Sequence, residues 1–451
     1  MKSTYILLVL LSSILISTVS TVSGPDHEKF WPQWRGPQAN GVAPYGDPPI
    51  EWSETKNIKW KIELPGEGYA TPIVWEDKIF ILCAVETDRV GKPQKTPSAP
   101  QSNRHGRRGG WMRGVQTSNV LQFNILAIHR KDGNLLWQRT AREEAPHQGR
   151  HSTGSWASNS GATDGEHVFA FFGSHGLYCY DMKGNLQWQK DFGDMQIKLN
   201  FGEGSSPVLY QDKIVVNWDH EGQSFIVALD KNSGQELWRK DRDEVTSWST
   251  PIVVKHNGKP QVIVSATGRV RSYDLESGKL LWECGGMTRN VIPSPVHADG
   301  IVYVTSGFRG SSLLAIRLAD ARGDITDTKA VLWQHDRDTP YTPSPLLYRN
   351  SLYFLKLNTE ILSCFNARTG QAHYRQYRLD GIKGVYASPV AANDRIYFAG
   401  RNGTSVVLKH GPQPEVLAVN TLQDHFDASP AIVGNELILR GHKFLYCIAS
   451  Q

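Results

Sequence analysis

A unit of four short apolar runs recurs along the chain, and residues 249–285 are its clearest copy. The runs at 251–254, 261–265, 270–274 and 279–283 are short, and each contains β-branched, leucine or aromatic residues. Turn formers such as Asn257 and Gly258 separate them, which is the pattern of four antiparallel strands. One such sheet cannot bury both of its faces alone. Copies stacked side by side can, so the recurrence predicts the blades of a propeller.

Eight copies are marked by a Ser or Thr at the start of the first strand, followed in seven of them by proline. These residues are Thr71, Ser160, Ser206, Thr250, Ser294, Ser344, Ser388 and Ser429. From Ser206 onward they lie 41 to 50 residues apart, which is the length of a four-stranded blade. The sequence therefore predicts an all-β fold, an eight-bladed β-propeller of four-stranded antiparallel blades.

The two ends of the chain complement each other in this pattern. Residues 58–63 copy the fourth strand of the repeat, including its tryptophan at Trp60, but no strands one to three precede them. The eighth copy, residues 429–449, stops after its third strand. We therefore expect the N-terminal strand to complete the last blade and close the ring, which removes an exposed sheet edge.

The segments before the propeller have their own signatures. Residues 1–23 carry one lysine, an apolar core at 6–16 and small residues near Ser20 and Ser23, as in a cleaved signal peptide. This predicts a periplasmic or secreted protein; an uncleaved anchor is the alternative, although the apolar core is short for a span. Residues 24–57 are rich in proline and aromatics, and we expect an ordered extension pinned by Trp31, Trp34 and Trp52. The propeller is then 58–451.

Five cysteines occur, and three share one position of the repeat. Cys179, Cys364 and Cys447 fall in the middle of the third strand, where other copies carry small residues such as Ala127 and Ala228. Buried cysteine serves as a small packing residue there, so we expect no disulfide. The chain has no CxxC or CxxCH motif, which argues against a cysteine-rich zinc site or an attached haem.

The largest insertion, residues 86–119, separates strands two and three of the first blade. It holds seven Lys or Arg residues against Glu86 and Asp88, with several prolines and a GRRGG run. This composition predicts a mobile loop that is dispensable for folding. A basic arm that contacts an acidic surface, a polyanion or anionic lipid is the functional alternative. Nucleic acid is not expected as the partner of an exported protein with one small basic patch.

Loop lengths separate two faces of the predicted propeller. Loops joining strands two and three, and those between blades, are long and varied, and we assign binding to that face. Six aromatic residues precede the first strands there and are predicted to ring the mouth of the central channel, or else simply to cap the core. These are Tyr69, Trp156, Trp248, Tyr341, Tyr386 and Phe426.

Polar residues lie at the tips of the loops between strands two and three. They are His175, Asp219, His220, Glu221, Arg309, Lys356, Asn358, Arg401, Arg440 and His442. Their convergence predicts a pocket for a polyhydroxylated or anionic ligand, although hairpin tips are often polar without one. Asp219, His220 and Glu221 are metal-ligand types, as are His147 and His151. Neighbouring strand residues point to opposite sides, so we expect no metal.

The repeated SPV…VYV…LxALDxxTGxxLW pattern, as in 206–238 and 294–333, resembles the pyrroloquinoline quinone (PQQ)-like repeat. That family includes quinoprotein alcohol dehydrogenases and the BamB outer-membrane assembly scaffold. The resemblance extends from Ile58 to Ala449. The WRGP extension together with this propeller resembles exported PQQ-like proteins of planctomycete-type bacteria.

The resemblance implies two functions. Family dehydrogenases use a vicinal disulfide against the quinone, a calcium ion held by Glu and Asn, and an Asp base. This sequence has no adjacent cysteines and no positions that match the calcium ligands. We therefore expect a non-catalytic scaffold, or a module that binds a protein or a small polar or anionic ligand at the channel mouth, with no cofactor. The alternative is a dehydrogenase of alcohols or sugars that uses PQQ and calcium, with Asp219 or Glu221 as the base.

Overall fold

The computed structural model describes residues 27–91 and 114–450. Within these ranges the chain forms eight sheets, seven of four strands and one of five. Strands that are consecutive within a blade pair antiparallel, and the first strands of most successive blades contact each other. The predicted eight-bladed β-propeller is confirmed.

The strands of blades 1 to 4 have the following bounds. Blade 1 has Ile73–Trp75, Lys78–Val90, Asn119–His129 and Leu135–Glu144; blade 2 has Ala162–Thr163, His167–Phe171, Leu177–Asp181 and Leu186–Lys190; blade 3 has Val208–Tyr210, Lys213–Trp218, Ser224–Asp230 and Glu236–Arg242; blade 4 has Ile252–His256, Lys259–Val264, Val270–Asp274, Leu280–Cys284 and a fifth, parallel strand, Gly323–Asp324, supplied by blade 5.

The remaining blades follow the same order. Blade 5 has Val296–Ala298, Ile301–Ser306, Ser312–Arg317 and Val331–His335; blade 6 has Leu346–Tyr348, Ser351–Leu355, Ile361–Asn366 and Ala372–Arg378; blade 7 has Val390–Ala392, Arg395–Ala399, Thr404–Lys409 and Glu415–Thr421; blade 8 has Ala431–Val433, Glu436–Arg440, Phe444–Ile448 and the N-terminal strand Ile58–Glu63. Short 3-10 turns are His27–Lys29, Gly173–His175, Lys198–Asn200 and Leu318–Asp320.

Blade 8 takes its outer strand from the beginning of the chain. Ile58–Glu63 pairs antiparallel with Phe444–Ile448, and Trp60 lies opposite Cys447. Six other blades place an aromatic residue of the fourth strand opposite a small residue of the third. These pairs are Ala127 with Trp137, Cys179 with Trp188, Ala228 with Trp238, Ser272 with Trp282, Ala315 with Trp333 and Cys364 with Tyr374. The small residue leaves room for the large ring, which explains the repeat position of three cysteines. All five cysteines are buried and free.

The inner strands are joined by a ladder of hydroxyl groups. In six of the eight junctions the backbone N–H of the marker Ser or Thr donates to the hydroxyl of the marker in the next blade, at 2.8 to 2.9 Å. Thr71 Oγ1 closes the circle by donating to the carbonyl of Ser429 at 3.1 Å. Buried N–H groups at strand starts need such partners, so the ladder explains why each blade opens with Ser or Thr.

The segment before the propeller lies on the face of the short hairpins. Trp31 bridges Val74, and Trp31 and Trp52 are buried in the hydrophobic core. Arg35 is buried as well and donates to the carbonyl groups of Pro345 and Pro389 at 2.7 and 2.8 Å. The segment therefore covers this end of the central channel.

Two sequence expectations need correction or fall outside the described residues. Glu86 and Val90, predicted to belong to a loop, extend the second strand of blade 1 and pair with Leu121 and Asn119. Residues 92–113, the rest of the predicted mobile insertion, and the predicted signal segment 1–23 lie outside the described residues. No helix in the described ranges has the length and apolarity needed to cross a bilayer.

Candidate functional site

A cavity of about 230 Å³ occupies the central channel. Its upper wall is aromatic, and four of the six predicted mouth residues line it: Tyr69, Trp248, Tyr341 and Tyr386. The cavity is also lined by Phe201, His151 and Trp34, which were not predicted from the sequence to lie at the channel mouth. Trp34 comes from the N-terminal segment and its indole nitrogen donates to Ser294 Oγ at 3.1 Å. The cavity is therefore closed on the side of the N-terminal segment.

Two predicted mouth residues do not line the cavity. Phe426 is fully buried in the hydrophobic core and meets Tyr446 edge-on. Trp156 packs beneath the guanidinium of Arg150 and donates to the carbonyl of Gln148. The prediction that they ring the channel mouth was wrong for both: Phe426 follows the alternative and caps the core, and Trp156 lies half-buried against the core of blades 1 and 2.

Six marker hydroxyls form the lower wall of the cavity. They belong to Ser206, Thr250, Ser294, Ser344, Ser388 and Ser429, from blades 3 to 8. Each oxygen accepts one N–H, either from the backbone of the preceding blade or, at Ser294, from Trp34. A hydroxyl has one hydrogen to donate. For these six, the described residues supply no acceptor, so their hydrogens remain available to the cavity.

Two carboxylates line the cavity, and both are held by partners. Glu203 accepts from the backbone N–H and the hydroxyl of Ser174 at 2.7 and 2.6 Å. Asp427 accepts from Arg401 at 2.6 Å and pairs with His442 at 2.9 Å. These bonds fix both groups in place; the Asp427 side chain is only 2% exposed, whereas Glu203 is half-buried.

The partners of Asp427 support the aromatic wall. The Arg401 guanidinium lies 4.3 Å from the ring centroid of Tyr386, and the His442 ring stacks on Tyr69 at 4.7 Å. Burial alone would lower the pKa of Arg401, but its bond to Asp427 more than offsets this and the pKa is raised. Burial raises the pKa of the Tyr69 hydroxyl to about 12, with a further contribution from Asp427. Burial and then Arg401 lower the pKa of His151, which is neutral at neutral pH.

The other predicted polar residues are mostly structural. His175 is buried, bonds to Glu144 at 2.6 Å and stacks on Phe123, and Lys356 pairs with Asp338 at 2.8 Å. The Arg309 guanidinium lies over the ring of Phe308, and Phe308 in turn stacks on Tyr341. Of the predicted polar residues at the loop tips, only Asn358 lines the cavity, together with Asp427 and the aromatic wall.

Arg440 is a clear correction. It is 2% exposed and donates to the backbone carbonyls of Ala70 and Leu82, so it joins blade 8 to blade 1 rather than facing a ligand. Burial lowers its pKa to about 10, which still leaves the guanidinium charged at neutral pH.

The predicted base and metal candidates are also engaged in the scaffold. The Asp219 carboxylate accepts from Arg242 at 2.7 and 3.1 Å and from Ser247 at 2.6 Å, with both side chains of the ion pair fully buried. Glu221 accepts from Thr246, and His220 Nδ1 accepts from the backbone of Gln196. The three side chains therefore face different partners and lie outside the cavity.

The two predicted histidines do not form a ligand pair either. His147 bonds to the carbonyl of Met195 and His151 to Thr153. Asp164, Glu166 and His167 do come together, on the first hairpin of blade 2. There Asp164 is already bonded to Lys231 at 2.6 Å.

Comparison with known proteins agrees with the fold. The sequence profile of the PQQ-like repeat family described as outer membrane protein assembly factor BamB matches residues 121–284 and 222–439. The structure of BamB from Moraxella catarrhalis has a TM-score of 0.55 and 14% identity, covering 86% of this chain and 98% of its own. Comparison with curated proteins gives no match.

Two enzymes share the same architecture. Quinohemoprotein alcohol dehydrogenase from Comamonas testosteroni has a TM-score of 0.60 and 9% identity, covering 93% of this chain and 80% of its own. A quinohemoprotein alcohol dehydrogenase from Pseudomonas putida HK5 has a TM-score of 0.55 and 10% identity, covering 95% and 82%. At such identities the likeness shows the fold alone. Because the two profile matches together span more than half of the sequence, the chain belongs to the PQQ-like repeat family of propellers described as outer membrane protein assembly factor BamB.

Proposed function

We propose that this protein is an exported, non-catalytic propeller that binds a small polar ligand in its central cavity. The observation that carries the proposal is the lining itself: an aromatic wall, a wall of hydroxyl donors, and a base covered by Trp34. Concave sites with aromatic faces and a few convergent polar groups are the usual form of small-molecule sites. The cavity has the shape and chemistry for recognition.

The donor set does not fit PQQ, which carries three carboxylates. Among the described lining residues there is no lysine or arginine, while Glu203 and Asp427 bring negative charge. The nearest guanidinium, Arg401, is already committed to Asp427. Burying an anion beside carboxylates without a compensating cation is unfavourable. We therefore derive no reaction step through a quinone.

The candidate bases support the same conclusion. A general base must reach the proton that it removes and must be free to accept it. Asp219 lies outside the cavity and its oxygens are saturated by Arg242, Asn217 and Ser247. Glu221 is held by Thr246. Both residues act as parts of the scaffold.

The composition of residues 1–23 supports export, as does the family description, which is that of an outer-membrane assembly factor. We place the protein in the periplasm or outside the cell. The face around the cavity mouth is then open to small molecules and to partner proteins of that compartment.

The second candidate is a PQQ-dependent dehydrogenase of alcohols or sugars, which the two similar quinohemoprotein structures favour. Purified full-length protein would be dialysed to equilibrium against PQQ with Ca²⁺, and then assayed for dye-linked oxidation of ethanol and glucose. We expect no stoichiometric uptake and no turnover. Stoichiometric uptake of PQQ with turnover would overturn the proposal and establish the enzyme.

A further inference from the structure

We infer that the ligand of the central cavity is a neutral, polyhydroxylated ring, such as a pyranose or a cyclitol. This inference rests on the proposed function, because it names the chemical class that the same cavity takes. Four features of the lining carry it: the aromatic faces, the hydroxyl donors, the balance of charge and the size.

The aromatic wall is rigid and offers ring faces. Each of its three tyrosines has a neighbour stacked on it: His442 on Tyr69, Arg401 on Tyr386 and Phe308 on Tyr341. Such neighbours limit the motion of the rings, so little conformational freedom is lost when a ligand binds. Aromatic faces pack well against the C–H faces of a sugar ring, which is apolar on its faces and polar at its rim.

Trp248 fits the same role. Its indole nitrogen donates to the carbonyl of Gly202 at 2.7 Å, which fixes the orientation of the ring. The N–H is therefore used, and the indole contributes to the cavity through its apolar surface. A flat, half-buried indole beside polar groups suits a ligand that has an apolar face and a polar edge.

The hydroxyl wall complements the polar edge of such a ring. The six free O–H hydrogens come from six consecutive blades, so they are distributed around the axis. The oxygens of a pyranose or cyclitol are likewise distributed around its rim and can accept hydrogen bonds from several sides. Its own O–H groups need acceptors in turn, and the half-buried carboxylate of Glu203, whose two oxygens each accept one bond from Ser174, keeps lone pairs for them.

Charge excludes the other polar ligands. An anion would meet the Glu203 carboxylate, and a cation would lose its hydration shell to a lining whose one candidate counter-charge, Glu203, is already bonded to Ser174. The ion pair between Arg401 and Asp427 cancels the charge of that carboxylate, which leaves Glu203 as the one carboxylate of the described lining without a basic partner. A neutral ligand avoids both penalties.

Size points to one or two rings. The cavity of about 230 Å³ lies below the range of roughly 300–1,000 Å³ that is typical for drug-sized ligands. Longer saccharides would extend through the open mouth, past the aromatic wall.

The test is isothermal titration calorimetry of the full-length protein with three sets of probes. The neutral set is methyl α-glucopyranoside, methyl β-galactopyranoside, N-acetylglucosamine and myo-inositol; the anionic set is gluconate and glucuronate; the cationic set is glucosamine and choline. We expect millimolar or tighter binding by at least one neutral probe, and weaker binding by its charged counterparts.

Variants localise the binding. Trp248→Ala should lower the affinity for the neutral probe about tenfold or more, which corresponds to the loss of one aromatic contact. Tyr341→Ala removes a second ring of the aromatic wall and should also weaken binding of the neutral probe, which covers the case in which Trp248→Ala fails to fold. Tyr45→Ala is the matched control, since Tyr45 is 54% exposed and lies outside the cavity. It should leave binding unchanged.

The outcomes separate the inference from the proposed function. Binding by an anionic or cationic probe alone, lost in Trp248→Ala, would overturn the neutral-ring inference and keep the binding function. Binding by none of the probes would overturn the neutral-ring inference, whereas uptake of PQQ with turnover would overturn both claims. Neutral-probe binding that is unaffected by Trp248→Ala would place the ligand elsewhere and contradict the inference.

Discussion

The indole nitrogen of Trp34 donates a 3.1 Å hydrogen bond to the hydroxyl oxygen of Ser294. This bond joins the segment before the propeller to the inner wall of blade 5. Arg35, the next residue, fixes the same segment to blades 6 and 7 through the carbonyls of Pro345 and Pro389. The first part of the chain thus forms the base of the cavity that the rest of the chain surrounds.

We expect Trp34→Phe to lower the free energy of unfolding by about 1 kcal/mol, the net value of one hydrogen bond. Trp34→Ala should lower the free energy of unfolding further. It should also weaken binding of the neutral probe, because it opens the base of the cavity. Thermal unfolding and calorimetry measure the two effects. Unchanged probe affinity in a folded Trp34→Ala protein would show that the base of the cavity does not contribute to binding.

We expect Trp60→Ala to destabilise the protein by about 3–5 kcal/mol, as for other buried aromatic residues. Trp60 is 8% exposed, faces Cys447 and donates to the carbonyl of Arg130 at 2.9 Å. Trp188→Ala is the matched control, since Trp188 faces Cys179 and donates to Lys231 in the same way. If Trp60→Ala lowers the melting temperature much less than Trp188→Ala does, the N-terminal strand contributes little to the stability of blade 8.

Asp164 should make stability depend on pH. Burial would raise its pKa, but bonds from His167 and Lys231 outweigh burial and hold the pKa well below the ordinary 3.8. Its contribution is therefore present above about pH 4 and is lost as pH falls through the native pKa. Asp164→Asn should cost about 1.5–3 kcal/mol at neutral pH, the range for hydrogen bonds to charged groups.

The difference in melting temperature between wild type and Asp164→Asn should shrink as the pH falls below about 4. Asp299→Asn is the control, because Asp299 pairs with Arg368 at the surface, with their side chains 68% and 64% exposed. Such pairs contribute little. If the difference in melting temperature between wild type and Asp164→Asn stays constant across this pH range, the charge of the Asp164 carboxylate does not stabilise the fold.

The fold could be predicted from the sequence because the residues that determine it recur from blade to blade. The Ser or Thr marker, the small residue of the third strand and the tryptophan of the fourth appear in most blades, so their roles were predictable before any contact was known. The hydroxyl ladder was not, because a bond such as that from the Ser344 backbone to Ser388 Oγ exists only once neighbouring blades meet.

The site was predictable only in part. Tyr69 and Tyr386 line the cavity as expected, whereas Phe426 is core and Arg440 is buried. Position in a loop tells which face a residue is on but not whether its side chain turns toward the axis. Arg440 reaches inward because Gly68 has no side chain in its path, an approach that a single sequence does not reveal.

The most direct test is a crystal structure of the full-length protein soaked with the neutral probe that binds most tightly in calorimetry. The account predicts density for one ring in the central cavity, with a face against Trp248 and its oxygens within hydrogen-bond distance of hydroxyls such as Ser388 and Ser429. A cavity that holds only solvent at a concentration saturating in calorimetry, or a ring bound elsewhere on the propeller, would contradict it.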